Sequence, residues 1–224
     1  LRVEAFRIPL VDARLSGPSG VLAAPTELAF NAQINAMAGG PMPAAPVKLS
    51  AILRPAYVQF AGYDDFSFEA AGRARGNDDD GEDSSAGDRT QLVADKLAAT
   101  TDRNGAARLL VSKLPALAAP SDLTAELTFN DPNGEVQTVT QRLRLWPAQV
   151  VAGLRVASWA RMKNELAFTA LVLDTAGKPL KGRAVEVTGK LNQTFTTRKR
   201  IVGGFYAYDN RTEQKDLGLL CSGS

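Results

Sequence analysis

The sequence lacks histidine altogether and contains one cysteine, Cys221, among its 224 residues. Ser-His-Asp and Cys-His-Asn sites both need an imidazole to carry the proton, so this chain can build neither of them. A structural zinc site needs four ligands, usually cysteine or histidine, and the chain offers only one. Carboxylates are the remaining candidates for catalysis, and we expect no cofactor and no metal.

The chain also has little net charge and no long apolar run. Its 26 Lys and Arg residues against 24 Asp and Glu residues give a formal net charge of +2, which is too small for a general attraction to polyanions. No stretch approaches the roughly 18 consecutive apolar residues of a membrane helix. We therefore expect no nucleic-acid partner and no membrane contact by this segment. Because the sequence begins at Leu1 without a signal-peptide core, we expect an internal piece of a longer chain.

The sequence does contain repeated alternation of apolar and polar side chains, the pattern of a half-buried strand. Residues 123–129 (LTAELTF) place Leu, Ala, Leu and Phe on one face and Thr and Glu on the other. The same period fits residues 27–36, 47–53, 136–145, 166–173 and 183–188. Residues 63–68 are also strand-like, whereas residues 90–99 predict one or two turns of helix. Hydrophobic residues make up 45% of the chain, enough for a packed core.

A recurring four-residue pattern separates the predicted strands: DRNG at 102–105, DPNG at 131–134 and DTAG at 174–177. The Asp side chain accepts backbone hydrogen bonds in a turn, and the Gly takes a positive φ without a Cβ clash. Each pattern predicts a hairpin. Short strands with regular turns favour an all-β fold built from immunoglobulin-like sandwiches.

The proline after Trp146 predicts a domain boundary, because Pro147 cannot extend the interior of a sheet. We therefore expect a tail or linker at residues 1–9, one sandwich at 10–147 and a second at 148–224. The second span is shorter than the roughly 100 residues of an immunoglobulin domain, so we expect it to be incomplete.

Acidic residues cluster in two places, and neither predicts a site. Residues 76–88 (GNDDDGEDSSAGD) form a polar insert with no apolar anchor, which predicts a mobile, solvated loop. Its carboxylates invite a Ca²⁺ interpretation, but their spacing lacks the late Glu of an EF-hand loop. Asp64 and Asp65 are adjacent, so on a strand they would point to opposite faces and would not converge on a substrate. We therefore expect no catalytic residue and no enzymatic activity.

Four segments carry a resemblance to a known family. They are VEAFRIP at 3–9, AMAGGP at 36–41, LWP at 145–147 with Gly153 and Leu154, and RKRIVGGFYAYD at 198–209. In this order they resemble the macroglobulin (MG) domains of bacterial α2-macroglobulins, which are large periplasmic protease traps. The last segment is the most specific. The resemblance extends through nearly the whole chain.

The resemblance implies fibronectin-like MG β-sandwiches in a protein that inhibits proteases by entrapment after cleavage of an exposed bait segment. Its partners would be neighbouring MG domains of the parent chain and, through the parent, target proteases. Its location would be periplasmic or in the cell envelope. Many members capture the protease through a Cys-Gln thioester, but the residues after Cys221 lack that motif. The resemblance instead implies that Cys221 forms a disulfide with a partner outside this chain.

Within that family, the basic residues Arg198, Lys199 and Arg200 could belong to or adjoin a bait segment, because trypsin-like proteases cleave after such side chains. The alternative is a strand end with solvated charges, followed by a bulge at Gly203 and Gly204. A different function also stays open: a cell-surface adhesin or carbohydrate-binding module that would use Trp146 or Trp159, although each tryptophan is more ordinarily explained by packing at the edge of a core.

Overall fold

The computed structural model describes residues 10–68, 90–156, 167–200 and 206–224. In these ranges the chain is all β and forms twelve strands. Here there is no helix long and apolar enough to cross a membrane. The strands are β1 (Val11–Ser16), β2 (Leu22–Ala23), β3 (Leu28–Ala36), β4 (Pro46–Pro55), β5 (Gln91–Thr100), β6 (Ala106–Val111), β7 (Ser121–Asn130), β8 (Val136–Trp146), β9 (Val150–Val156), β10 (Phe168–Asp174), β11 (Val185–Arg200) and β12 (Tyr206–Gly223). The predicted tail at 1–9 and the acidic insert at 76–88 lie outside the described residues.

The first eight strands form two sheets that pack face to face. One sheet has the order β2-β8-β7-β4-β5 and the other has the order β1-β3-β6. All pairs are antiparallel except the short β2–β8 pair. We call these two sheets the first sandwich. The predicted all-β, immunoglobulin-like architecture is confirmed.

Alternation along the strands builds the core of the first sandwich. In β7 every second residue is buried, including Leu123 and Leu127, as the sequence pattern predicts. From the facing sheet, β3 contributes Phe30 and Ile34, which are fully buried. All four belong to one apolar cluster shared by the two sheets. Because each large apolar side chain stabilises by about 1.5–3 kcal/mol when fully buried, this cluster is the main source of stability.

Strand β5 corrects the helical prediction for residues 90–99. Its pairing with β4 shifts register twice, between Leu49 and Ala51 and again between Ala51 and Ile52. Each shift places an extra residue in β5, and Lys96 takes a positive φ of 48°. These bulges break the two-residue alternation, so apolar residues recur at the three- and four-residue intervals of a helix.

The three Asp-x-x-Gly patterns form the same turn. At the first, Oδ1 of Asp102 accepts hydrogen bonds from the N–H groups of Asn104 (2.8 Å) and Ala106 (3.0 Å), and Gly105 has a φ of 74°. Asp131 and Asp174 accept equivalent bonds. The second turn joins β7 to β8 as a hairpin, as predicted. The hairpin prediction is wrong for the first turn, because β5 and β6 belong to different sheets.

Lowering the pH should destabilise the chain partly through the first turn. The N–H groups of Ala106 and Asn104 hold the pKa of Asp102 below its usual value of 3.8. A depressed carboxyl pKa adds stability that is present above the unfolded-state pKa and is lost as the pH falls through the folded-state pKa. Asp102→Asn keeps an acceptor oxygen but does not titrate. We therefore expect urea unfolding to show a smaller loss of stability for Asp102→Asn than for wild type between about pH 5 and about pH 2. If the unfolding free energies of wild type and Asp102→Asn fall in parallel with pH, the contribution assigned to Asp102 is contradicted.

Beyond Trp146 the chain forms two separate strand pairs. β9 begins at Val150, as predicted, and pairs antiparallel with β10. β11 and β12 form a long antiparallel ribbon, which we call the ribbon. Within the described ranges no third strand joins either pair. The strand prediction for residues 63–68 is wrong: these residues form turns, with one isolated bridge between Ser67 and Leu154.

Candidate interaction site

The segment that follows β4, residues 56–68, reaches from the first sandwich to β9, and we call it the arm. Two turns fold it: the N–H of Tyr63 donates to the carbonyl of Phe60 (3.1 Å), and that of Phe66 donates to the carbonyl of Tyr63 (3.0 Å). The turns bring Ser67 beside Leu154 of β9. Each of these two residues donates its N–H to the carbonyl of the other, at 2.8 and 2.9 Å. The arm is therefore hydrogen-bonded to β9 through its backbone.

An aromatic core lies between the arm and the strands that follow the first sandwich. The Phe60 ring meets the Phe68 ring edge-on at 4.9 Å and stacks on the Trp146 ring at 6.5 Å and 18°. Aromatic pairs of this kind add about 0.5–1.5 kcal/mol beyond their buried area. The full set, which we call the junction cluster, is Val58, Phe60, Phe68, Trp146, Val151 and Leu173. The junction cluster thus joins the arm, the end of β8, β9 and β10 in one packed unit.

Two glycines make room for the arm's rings. A Cβ at Gly153 of β9 would lie 2.5 Å from Cε1 of Phe68, and one at Gly177 would lie 2.7 Å from Cδ1 of Phe60. Real Cβ atoms essentially never approach another atom so closely. Gly177 has a positive φ of 86°, which alone favours glycine. Gly153 has no such backbone requirement, so its missing side chain is explained by the seating of Phe68.

Arg155 contacts the arm from a position two residues further along β9. Its Nη1 donates to Oδ2 of Asp65 at 2.8 Å, and its guanidinium lies 4.9 Å from the centre of the Phe66 ring. The hydrogen bond from Arg155 holds the pKa of Asp65 below its usual value, against a smaller opposing effect of desolvation. Both charged side chains are substantially exposed, and such ion pairs contribute only about 0–1 kcal/mol. Arg155 therefore orients the arm more than it stabilises it.

Asp64 and Asp65 lie in a turn of the arm and not on a strand, so the strand alternation expected to separate their side chains does not apply. The carboxylate of Asp65 faces Arg155, and the backbone carbonyl of Asp64 accepts a hydrogen bond from Gln59 at 3.1 Å. In the described part of the chain there is no group of three or more potential metal-ligating side chains. The acidic residues considered for Ca²⁺ lie outside the described residues.

The basic residues of the predicted bait-adjacent segment lie at the end of β11. In the ribbon's register, Arg198 is opposite Tyr208, Lys199 is opposite Ala207 and Arg200 is opposite Tyr206. Because side chains alternate along a strand, Arg198 and Lys199 point to opposite faces. The Arg198 guanidinium lies 3.5 Å from the centre of the Tyr206 ring. The Gly203–Gly204 bulge considered for this segment lies outside the described residues.

On the other face of the ribbon, Nζ of Lys199 donates to Oδ2 of Asp209 at 3.0 Å. The side chains of Arg198 and Lys199 are thus exposed but held in a paired strand with specific partners. A protease binds its substrate as an unpaired extended segment, so cleavage here requires opening the ribbon. The bait-adjacent assignment of Arg198, Lys199 and Arg200 stays a hypothesis.

Limited trypsin digestion of the full gene product tests that hypothesis. We expect the first cut at the arginines that flank residues 76–88, because the composition of that segment predicts a solvated loop. We expect cleavage after Arg198 or Lys199 to follow later, because both residues are paired with β12. Mass spectrometry of early time points gives the order. A first cut at residues 198–200 would contradict this order and favour a bait role.

Cys221 lies in β12 opposite Val187, and its thiol is free and exposed. A partner outside the chain could therefore reach it, and the disulfide implied by the family resemblance stays a prediction. Trp146 is only 8% exposed, within the junction cluster. Its ring is consequently not available to stack on a sugar, which removes one basis of the carbohydrate-binding alternative. Trp159, the other basis, lies outside the described residues.

The arm, Gly153 and Arg155 were not expected from the sequence to form a site. Arg155 and Asp65 are 90 positions apart, and a single sequence carries no direct signal for such a pair. One signal was present, because five aromatic residues fall within the twelve positions 57–68. That density is high for a chain with 7% aromatic residues, and it favours packing against another element.

Comparison with known proteins adds a fold-level likeness. No protein-family model and no curated protein sequence matches the chain. Among solved structures, the chain is similar to native Escherichia coli alpha-2-macroglobulin, with a TM-score of 0.58 and 14% identity over 98% of this chain and 14% of that one. A mutant Salmonella alpha-2-macroglobulin gives 0.58 and 14% identity, covering 98% of this chain and 15% of that one. E. coli alpha-2-macroglobulin activated by porcine elastase gives a TM-score of 0.59 and 17% identity, over 97% of this chain and 19% of that one.

The chain spans less than a fifth of the length of each of these proteins. At these identities the likeness is one of fold. The chain therefore has the all-β, immunoglobulin-like sandwich architecture found in the macroglobulin domains of bacterial alpha-2-macroglobulins.

Proposed function

We propose that this chain is a structural and interaction segment of a bacterial α2-macroglobulin-like protease inhibitor. The observation that carries the proposal is the similarity along 97–98% of the chain to bacterial alpha-2-macroglobulins, which agrees with the four sequence segments that resemble MG domains. In this role the segment holds neighbouring domains of the parent in place and takes no part in bond chemistry. The packed junction cluster supports a positioning role, because it joins the first sandwich to the strands that follow.

The proposed organisation is a linker at residues 1–9, a first MG domain at 10–147 and a second MG domain at 148–224. The contacts of the first sandwich support the division, since its apolar cluster draws only on residues before Trp146. The proposed partners are the adjoining MG domains of the parent chain and, through the parent, target proteases. The proposed location is the periplasm or cell envelope, which fractionation of the source cells against periplasmic and cytoplasmic markers would test.

The function is tested with the full gene product and porcine elastase. A trapped protease keeps its active site but is enclosed, so we expect elastase to lose activity toward casein and to keep activity toward a small chromogenic peptide. The control is elastase whose active site has been blocked beforehand. Because it cannot cleave a bait segment, it should not become trapped by the full gene product. If casein and the peptide are cleaved equally well after incubation, the proposal fails.

A further inference from the structure

We propose that the arm and β9 form an intramolecular clasp that makes the first sandwich and the β9–β10 pair move as one body. The arm leaves the first sandwich directly after β4, and the N–H of Ala56 donates to the carbonyl of Pro120 at 2.8 Å. Its far end is hydrogen-bonded to Leu154 of β9. A segment fixed at both ends in this way restricts rotation about the short connection between β8 and β9. The inference does not depend on the proposed function, since it concerns motion within the chain.

Three kinds of contact support the clasp, and they differ in what they fix. The Ser67–Leu154 backbone bonds set the register of the arm along β9. The junction cluster excludes water from the contact, because Phe60, Phe68 and Trp146 are each at most 8% exposed. Arg155 orients the arm on β9 through its hydrogen bond to Asp65 and its contact with the Phe66 ring. Apolar burial provides most of the hold, since the ion pair is exposed and therefore weak.

The position of Gly153 is the sharpest evidence that the contact is specific. Glycine in a strand interior lowers stability unless another group approaches the backbone closely. Here Phe68 fills the space that a side chain would occupy. A larger residue at 153 must displace that ring, and with it the end of the arm. The clasp can therefore be opened by one substitution in β9 that leaves the arm's own sequence unchanged.

The test measures the distance between two spin labels, one on each side of the clasp. The labels are placed on Gln137→Cys in β8 and Lys178→Cys after β10, both exposed positions, in a Cys221→Ser background. Double electron–electron resonance should give a narrow distance distribution for this doubly labelled protein, which we call the labelled reference. Gly153→Leu should broaden it at least about twofold, because the arm detaches and the two parts reorient independently. Arg155→Met, which keeps an apolar stem but removes the charge, should broaden it less.

The matched control is Ala152→Leu, which adds the same side chain at the adjacent exposed position of β9. It should leave the distribution unchanged. Hydrogen exchange at the Leu154 amide gives a second readout, and we expect roughly tenfold faster exchange in Gly153→Leu than in Ala152→Leu. If Gly153→Leu does not fold, the test rests on Arg155→Met. A distance distribution broader in Arg155→Met than in the labelled reference would then support the clasp, and equal widths would overturn it. Three results would each overturn the clasp. They are a broad distribution in the labelled reference, equal widths in Gly153→Leu and the labelled reference, and a broadening by Ala152→Leu as large as that by Gly153→Leu.

Discussion

Replacing Phe30 by alanine will remove roughly 3–5 kcal/mol from the stability of the first sandwich. Phe30 is fully buried in β3 and belongs to the cluster between the two sheets. Its ring also approaches the backbone of Gly17, where a Cβ would lie 3.1 Å from Cε1 of Phe30. Two facing sheets cannot close over the lost volume without moving their backbones, so a cavity remains in addition to the lost burial. Natural domains have only about 5–15 kcal/mol in total, so this single change should leave the sandwich close to unfolding.

The effect is measured by urea unfolding followed by circular dichroism under reducing conditions. Leu110→Ala is the control, because Leu110 in β6 is 47% exposed and lies on the outer face of the same sheet. We expect this variant to stay within about 1 kcal/mol of wild type. Equal losses in the two variants would mean that the core does not lie where the structure places it.

Gly105→Ala should be the second most damaging change, with a loss of about 3 kcal/mol. Gly105 has a φ of 74°, and left-handed geometry costs a residue with a Cβ about 1–2 kcal/mol. A Cβ there would also meet the backbone carbonyl oxygen of Ile34 inside van der Waals distance. That oxygen belongs to β3 and cannot rotate away as a flexible side chain could. The turn must therefore shift, which strains the hydrogen bond from the N–H of Ile34 to the carbonyl of Gly105 (2.9 Å).

Gly134→Ala separates the cost of the left-handed backbone from the cost of the close approach to Ile34. Gly134 occupies the equivalent position of the Asp131 turn with a φ of 82°, but a Cβ there would meet no atom of the described residues within 4 Å. We expect only the conformational cost of about 1–2 kcal/mol in this variant. The difference between the two unfolding free energies then measures the close approach to Ile34. A larger loss in Gly134→Ala than in Gly105→Ala would contradict the explanation.

Four of the eight strands of the first sandwich were predicted from the sequence, and β1, β2 and β6 were missed. The alternation in β3, β4, β7 and β8 reflects one face buried and one face in solvent, and each of these strands was predicted within a few residues of its bounds. β5 was not, because its bulges change the spacing of apolar residues. Alternation says which face of a strand is buried but does not say which sheet the strand joins. For this reason the turn at Asp102 was mistaken for a hairpin when it connects two sheets.

The candidate site was less predictable than the fold. The exclusion of histidine- and zinc-based chemistry follows from composition alone and needs no structure. The arm and β9, by contrast, contact each other through residues far apart in the sequence, such as Ser67 and Leu154. Their contact depends on how the chain turns after Trp146, which is a property of the assembled fold. The dense aromatic residues of the arm indicated packing but could not indicate the partner.

The bulges of β5 have a consequence for the behaviour of the protein at high concentration. β5 is the last strand of the five-stranded sheet in the described part of the chain, so one row of its backbone groups faces outward. A regular outer strand is a template on which a second molecule can add its own strand and begin to aggregate. The bulges twist β5 and place Asp95 and Lys96 side by side in solvent. The same irregularity that obscured this strand in the sequence therefore protects the sheet from growing between molecules.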